Sequence, residues 1–337
     1  MEIVAGVVVL LYVIVALLGT RGNDAIAQAF ARQHCVSPDS IFPRQFAMCG
    51  AGDPGPNGVR SALVKESTNT YKFYASGRRH CQGLLATLVL KNRADLLGWL
   101  LGLFFPQEDL LEIEVYVSDM SPMVMAVATP RQAKALQDRR DVRAYTKPVK
   151  VQPQPGAAAG GDGVPSWNNA KLQVLAEHSS FFYDLFGEPR LHGIFTSAAH
   201  ADKLRLFRSL LVSSENGGGQ KQVLRFVFAL PSADDMAALA PLLALVPLLT
   251  DLVAMYRVNP ELKKKLAEAR ARTEEALAEA EEARKKRVEA LQRKKIEKAL
   301  EEKERLARLN PEARRKAEEK LAKQAAKKGM KVKMVRM

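Results

Sequence analysis

The chain of 337 residues is short of the groups that do chemistry. Cysteine occurs three times, as Cys35, Cys49 and Cys81, with no Cys-x-x-Cys pair. An odd, sparse count does not build a disulfide framework and suits a reducing compartment. There is no G-x-x-x-x-G-K-S/T, no G-x-S-x-G and no H-E-x-x-H. The glycines at Gly217, Gly218 and Gly219 are not followed by the Lys and Thr of a phosphate loop. His34-Cys35 and His80-Cys81 are the only His/Cys neighbours. Adjacent side chains on an extended chain point to opposite faces, so neither pair is a ready metal clamp, and each cysteine reads as partly buried. Asp234-Asp235 fits helix-opening charge better than a catalytic pair. No catalytic residue, metal or cofactor is expected. Glycosylation sequons are also missing, which agrees with a cytosolic chain.

One feature is present in full. From Ile3 to Thr20 the sequence is uncharged and rich in Val, Leu and Ile. Eighteen helical residues span about 27 Å, close to the thickness of a bilayer core. No Lys or Arg precedes the run, while Arg21 and Arg32 follow it, so the positive-inside rule predicts the N-terminus outside the cytosol and the rest inside. A cleaved signal peptide would have a basic n-region and a clear cleavage site. Here the first is absent and Ala16 to Thr20 is a weak site. A core helix is the remaining alternative, and an apolar terminus of this length is costly in water.

Charge is unevenly spread. Residues 261–337 hold 26 Lys and Arg against 15 Glu, a net of +11, whereas residues 1–260 hold 25 basic and 22 acidic residues. A nearly neutral body thus carries a basic arm suited to RNA or an anionic membrane. Good helix formers dominate the arm, and acid-to-base pairs four apart recur, such as Glu281 with Lys285 and Glu282 with Lys286. Its large aliphatics keep no heptad seam, so a solvated single helix is expected and a homodimer is not. Asn310 and Pro311 break it, and beyond Glu319 there is no acid at all. Lys320, Lys323, Lys327, Lys328, Lys331, Lys333 and Arg336 are the candidate RNA contacts.

Between anchor and arm the patterning predicts an α+β cytosolic domain. Its parts are an anchor over 1–20, a juxtamembrane helix and Pro/Gly-rich loop over 21–62, a domain over 63–257 with a loop at 146–165, and the arm over 258–337. Strands are expected at Thr70–Ala75, Gly83–Lys91, Leu110–Val117, Met123–Ala128, Leu191–Thr196 and Val223–Leu230. Helices are expected from Asp95 through Phe104, from Pro130 to about Val142, over Leu172 to Leu185, and over Met236 to Met255. The Asp95 helix is apolar almost all round and too short to span. Burial is the expected state, and a surface of Trp99, Leu100, Leu103 and Phe104 for a partner or membrane is the alternative. The Met236 helix is likewise expected in the core, its fifteen uncharged residues being short for a second span.

Several stretches together resemble one family. Arg21-Gly22-Asn23-Asp24 with Ile26 to Phe30, Ser76-Gly77-Arg78 before Cys81 and Gly83, and Asp95-Leu96-Leu97 carry the first half of the likeness. Phe226-Val227-Phe228 with Pro231, Asp235-Met236, Arg257, Asn259, Arg270, Arg272 and the closing Met330 to Lys333 with Met337 carry the second. In this order they resemble calumin, the coiled-coil endoplasmic-reticulum subunit of the PAT complex. The resemblance covers nearly the whole chain except Val36–Val59 and Thr146–Pro165. It implies a non-enzymatic adaptor and chaperone subunit of the multipass translocon, in the endoplasmic-reticulum membrane beside the Sec translocon. The implied partners are the ribosome, an Asterix-like small membrane protein and nascent multipass proteins. The family's acidic lumenal segment has no counterpart before Ile3, so no calcium role is expected. A tether whose basic arm binds a second, anionic bilayer is the alternative function. The arm has no Trp, Phe or Tyr to insert into lipid, which favours a polyanion such as rRNA.

Overall fold

Strict alternation sets the centre of the molecule. In strand β5 (Leu110–Val117), Leu111, Ile113, Val115 and Val117 are buried while Glu112, Glu114 and Tyr116 are half-buried. β5 lies inside a ten-stranded antiparallel sheet with β1 (Met48–Cys49), β2 (Val64–Lys65), β3 (Thr70–Ser76), β4 (Cys81–Val89) and β6 (Val124–Ala128). β7 (Lys147–Val149), β8 (Gln173–Ala176), β9 (Phe207–Ser213) and β10 (Val223–Ala229) complete it. The order is β1-β3-β4-β5-β10-β9-β6-β8-β7, with β2 pairing beside β3. The computed structural model describes residues 2–50, 62–105, 107–151, 167–197, 200, 202–217 and 219–307.

The register defines two ends of the sheet. Thr70, Val89, Leu110, Ala229, Phe207 and Ala128 lie at one end. Val117, Val223, Ser213, Val124, Ala176 and Lys147 lie at the other. At roughly 3.3 Å per residue, the eight residues of β5 separate these ends by about 26 Å.

One face of the sheet builds the main core. It is covered by the C-terminal part of helix α1 (Glu2–Phe30), a π-helical turn over Ala31–Val36, and α2 (Ile41–Gln45). α6 (Ser179–Phe186), α7 (Pro189–Thr196), a 3-10 turn over Ala233–Leu239, α8 (Ala240–Leu243) and α9 (Leu245–Met255) complete the cover. On the opposite face, α4 (Pro130–Leu136) and α5 (Arg140–Tyr145) pack Ala133, Leu136 and Val142 on Ala126, Ala128, Leu175 and Leu211. The remaining helices are α3 (Leu96–Phe104) and α10 (Pro260–Ala307). The chain divides into two units, residues 1–266 and 267–337. In the first, Leu266 is buried in the core; in the second, residues 281–294 of α10 are exposed throughout.

Several expectations need correction. Leu172 to Leu185 is not one helix: β8 covers its first part, and only Ser179–Phe186 is helical. Leu191–Thr196 is the body of α7, not a strand, entered through Pro189 at the first helical turn. The Pro130 helix ends at Leu136, and α5 starts again at Arg140. β9 went unrecognised. The segment from Val36 is not all loop, since Ile41–Gln45 is a helix whose Phe42 is buried against Phe30 and Phe73. Folded structure also begins before Leu63, because Ala27, Phe30, Cys35, Phe42 and Phe46 are core residues. The Met236–Met255 stretch is buried as expected, with Leu239, Leu242, Leu243, Val246 and Leu249 fully enclosed. The rest of the 146–165 loop beyond Val151, and the break at Asn310-Pro311, lie outside the described residues.

Candidate membrane and polyanion interfaces

Helix α1 is exposed where it is most apolar. Ile3, Val4, Val7, Val9, Leu10, Leu11, Tyr12, Val13, Ile14, Leu17 and Leu18 all face outward. Among the described residues two helical stretches are long and apolar enough to cross a bilayer: Ile3–Gln45 buries 6% of its most apolar window and Ala233–Met255 buries 56%. At about 1.5 kcal/mol or more per buried aliphatic side chain, leaving the first stretch in water forgoes on the order of 15 kcal/mol. The second has already found its apolar surroundings inside the protein.

The helix is not loosely attached. Asn23 is completely buried, and its Nδ2 donates to the carbonyls of Thr68 (2.9 Å) and Lys91 (3.2 Å). Arg93 Nη1 donates to Asn23 Oδ1 at 2.8 Å and to Asp109 Oδ1 at 2.8 Å, and Arg93 Nη2 reaches Asp109 Oδ2 at 2.6 Å. The Lys91 amide also donates to Asp109 Oδ1 at 2.8 Å. Burial works to raise the Asp109 carboxyl, but the Arg93 guanidinium and the Lys91 amide outweigh it and hold it below the ordinary carboxylate range. One turn before Asn23, Gly19 lies so close to the chain at Arg93 that a Cβ would fall 2.0 Å from the Arg93 carbonyl oxygen. Only glycine permits that approach. One residue past Asn23, Asp24 Oδ1 accepts from the Tyr71 hydroxyl at 2.6 Å and from Lys65 Nζ at 2.7 Å. The π turn completes the joint: His34 Nε2 donates to the Met236 carbonyl at 3.0 Å, since a carbonyl can only accept. Burial lowers the pKa of His34, which keeps the ring neutral.

Helix α3 starts beside this joint. Asp95 caps it, Oδ2 accepting from the Gly98 amide at 3.2 Å. The expectation of burial is overturned: Leu100 is 49% exposed, Leu101 57%, Phe104 73% and Phe105 70%. Among the described residues no element covers Leu100, Leu101, Phe104 and Phe105. The side chains of Trp99 and Leu103, named with Leu100 and Phe104 as a candidate surface, lie outside the described residues. α1 and α3 therefore present their exposed apolar residues next to the same end of the sheet, the end at Thr70, Val89 and Leu110.

The basic candidates Lys320, Lys323, Lys327, Lys328, Lys331, Lys333 and Arg336 also lie outside the described residues. Among the described arm residues, Lys286 and Glu282 stand 4.0 Å apart, while Val288, Leu291 and Ile296 are exposed. His34 and Cys35 are both buried, His34 beside the Phe30 ring and bonded to Met236, and burial pushes the Cys35 thiol well up. Among the described residues no group of three or more His, Cys, Asp or Glu is placed to hold a metal. Sequence reasoning missed the clamp around Asn23. The one available signal was a polar residue four places before Ala27 on a helix face that is otherwise buried.

Comparison with known proteins follows this geometry. Residues 1–328 match the family described as PAT complex subunit CCDC47. An uncharacterized protein of Arabidopsis thaliana is 33% identical over 256 residues, covering 75% of this chain and 50% of its own length. The PAT complex subunit CCDC47 of Homo sapiens is 28% identical over 296 residues, covering 82% of this chain and 58% of its own length. That of Xenopus laevis is 27% identical over 291 residues, covering 82% and 57%. The chain thus spans about half the length of the curated relatives it matches.

Proposed function

Because the chain belongs to the PAT complex subunit CCDC47 family, we propose that it is a non-enzymatic membrane subunit acting in membrane-protein biogenesis at the endoplasmic reticulum. In this reading Ile3–Thr20 crosses the bilayer with its N-terminus lumenal, and the sheet-based body and the arm lie in the cytosol. The body stands beside the Sec translocon with an Asterix-like partner, and the arm holds the ribosome while multipass proteins are inserted and folded. The observation that carries the reading is the joint at Gly19 and Asn23. It fixes an exposed apolar helix of spanning length to a folded body and sets a second exposed apolar helix, α3, beside it. A leader cut near Thr20 would discard the Gly19 contact, which supports a retained anchor. Leu100 and Phe104 then lie at the level where α1 leaves the bilayer, against lipid or the apolar flank of a membrane partner.

Within the arm, Pro260–Ala307 acts as a helical spacer and the run from Lys320 makes the phosphate contacts. Counterion release makes such binding steeply salt-dependent. Ribosome co-sedimentation across a salt series, with and without Lys320–Met337, tests this. Removing the eighteen residues is expected to lower affinity at least tenfold and to flatten the salt slope. Unchanged affinity and slope would remove the tail as the contact.

A further inference from the structure

The end of the sheet farthest from α1 carries its own basic cluster. α5 runs into β7, whose first residue, Lys147, is registered with Ala176 at that end. Arg139 Nη2 donates to Asn216 Oδ1 in the β9–β10 turn at 3.0 Å, and the Asn216 amide donates to the Lys221 carbonyl at 3.0 Å. These bonds tie the start of α5 to the turn, and α5 leads directly into β7. Arg140, Arg143, Lys147 and Lys221 are all exposed on it. Of the nearby carboxylates, Asp141 is buried against Arg139, Glu177 and Glu215 are half-buried, and Asp138 is exposed. Further along the same end, Asp119 pairs with Arg257 at 2.8 Å.

We infer that Arg140, Arg143, Lys147 and Lys221 form a binding face for the phosphate backbone of RNA, separate from the terminal basic run. The inference rests on the reading of α1 as a membrane span. The sheet is about 26 Å long from its α1 end to this cluster, and the Debye length at physiological salt is about 8 Å. The anionic surface of the bilayer that holds α1 is therefore screened from these side chains, and their partner arrives from the cytosol. Among the described residues the face offers four exposed cations and no exposed aromatic ring, which fits phosphate contacts and not base stacking.

The test uses the full-length chain in detergent with a labelled RNA hairpin, over a salt series. Arg140→Glu, Arg143→Glu and Lys147→Glu are combined, with Lys320–Met337 present and absent. Affinity is expected to fall tenfold or more in both backgrounds, and the slope of log affinity on log salt to shallow by about 3. Arg140→Gln with Arg143→Gln and Lys147→Gln decides the matter if charge reversal lowers the melting temperature. Unchanged RNA affinity and slope in a folded variant overturns the inference, as does loss of binding to phosphatidylserine vesicles with RNA binding intact. Loss of RNA binding on tail removal alone supports the tail and overturns this face. A defect in the triple variant alone does the reverse. Protease protection of the body in sealed microsomes overturns the membrane reading on which both depend.

Discussion

Asp109 draws together three separate pieces of chain: the end of β4 through the Lys91 amide, the approach to α3 through Arg93, and α1 through the Arg93–Asn23 bond. Its carboxyl is depressed, so its contribution to stability is present above the ordinary value of 3.8 and is lost as pH falls through the folded value. The wild-type melting temperature should begin to fall as pH drops below the ordinary 3.8, the loss continuing until the folded group takes up its proton at lower pH. Asp109→Asn should cost about 3 kcal/mol at pH 7 and progressively less as pH falls below 3.8, because the variant has no proton to gain. A gap that does not narrow as pH falls through the acid range below 3.8 would show that the pairing is not what the carboxylate contributes. None of this could be read from the sequence. Asn23, Arg93 and Asp109 stand 70 and 16 positions apart along the chain. Polar residues so spaced carry no local pattern, whereas Gly19 reads as one more small residue in an apolar run.

Among the elements, strands with one buried face were legible and short helices were not. β5 alternates over its full length, and its sequence-derived limits agree with the structure. α7 contains Leu191, Ile194, Phe195 and Thr196, residue types that also suit a strand, and the decisive signal was Pro189 before them. In Leu172–Leu185 a helical spacing of apolar residues crossed the boundary between a strand and a helix, and period alone does not mark such a boundary. α3 shows a different limit. Its composition is that of a core helix, and whether a core exists around it is a tertiary fact. Its exposure reverses the expected effect of mutation. Leu100→Asp should change stability by less than about 0.5 kcal/mol, as surface substitutions do, while weakening attachment of the body to lipid or a membrane partner. Thermal melts in detergent, together with photocross-linking from position 101 in native membranes, separate these outcomes. A loss of several kcal/mol would mean that α3 is covered after all.

At the scale of the molecule, the order apolar helix, α+β body, charged helix was legible, because each part differs in composition. The uncharged run, the alternating strands and the helix rich in Ala, Glu and Lys are separate signals. The dividing point was less clear, since the core reaches back to Ala27 and forward to Leu266. Arg21 and Arg32, just after the run, predict that the C-terminus is cytosolic. Protease added to sealed microsomes should therefore digest a C-terminal tag completely. A protected tag would invert the orientation and place both basic surfaces in the lumen, away from RNA.

The joint at Gly19 and Asn23 also makes the body a pointer. A spanning helix answers a change in bilayer thickness by tilting. α1 cannot tilt independently, because backbone contact and buried hydrogen bonds fasten it to the β3–β4 end of the sheet. Over the roughly 26 Å length of the sheet, each 10° of tilt carries the Arg140 end sideways by about 4 to 5 Å, the width of one strand spacing. With α1 as the proposed span, local membrane thickness would set where the far surface of the body stands above the bilayer.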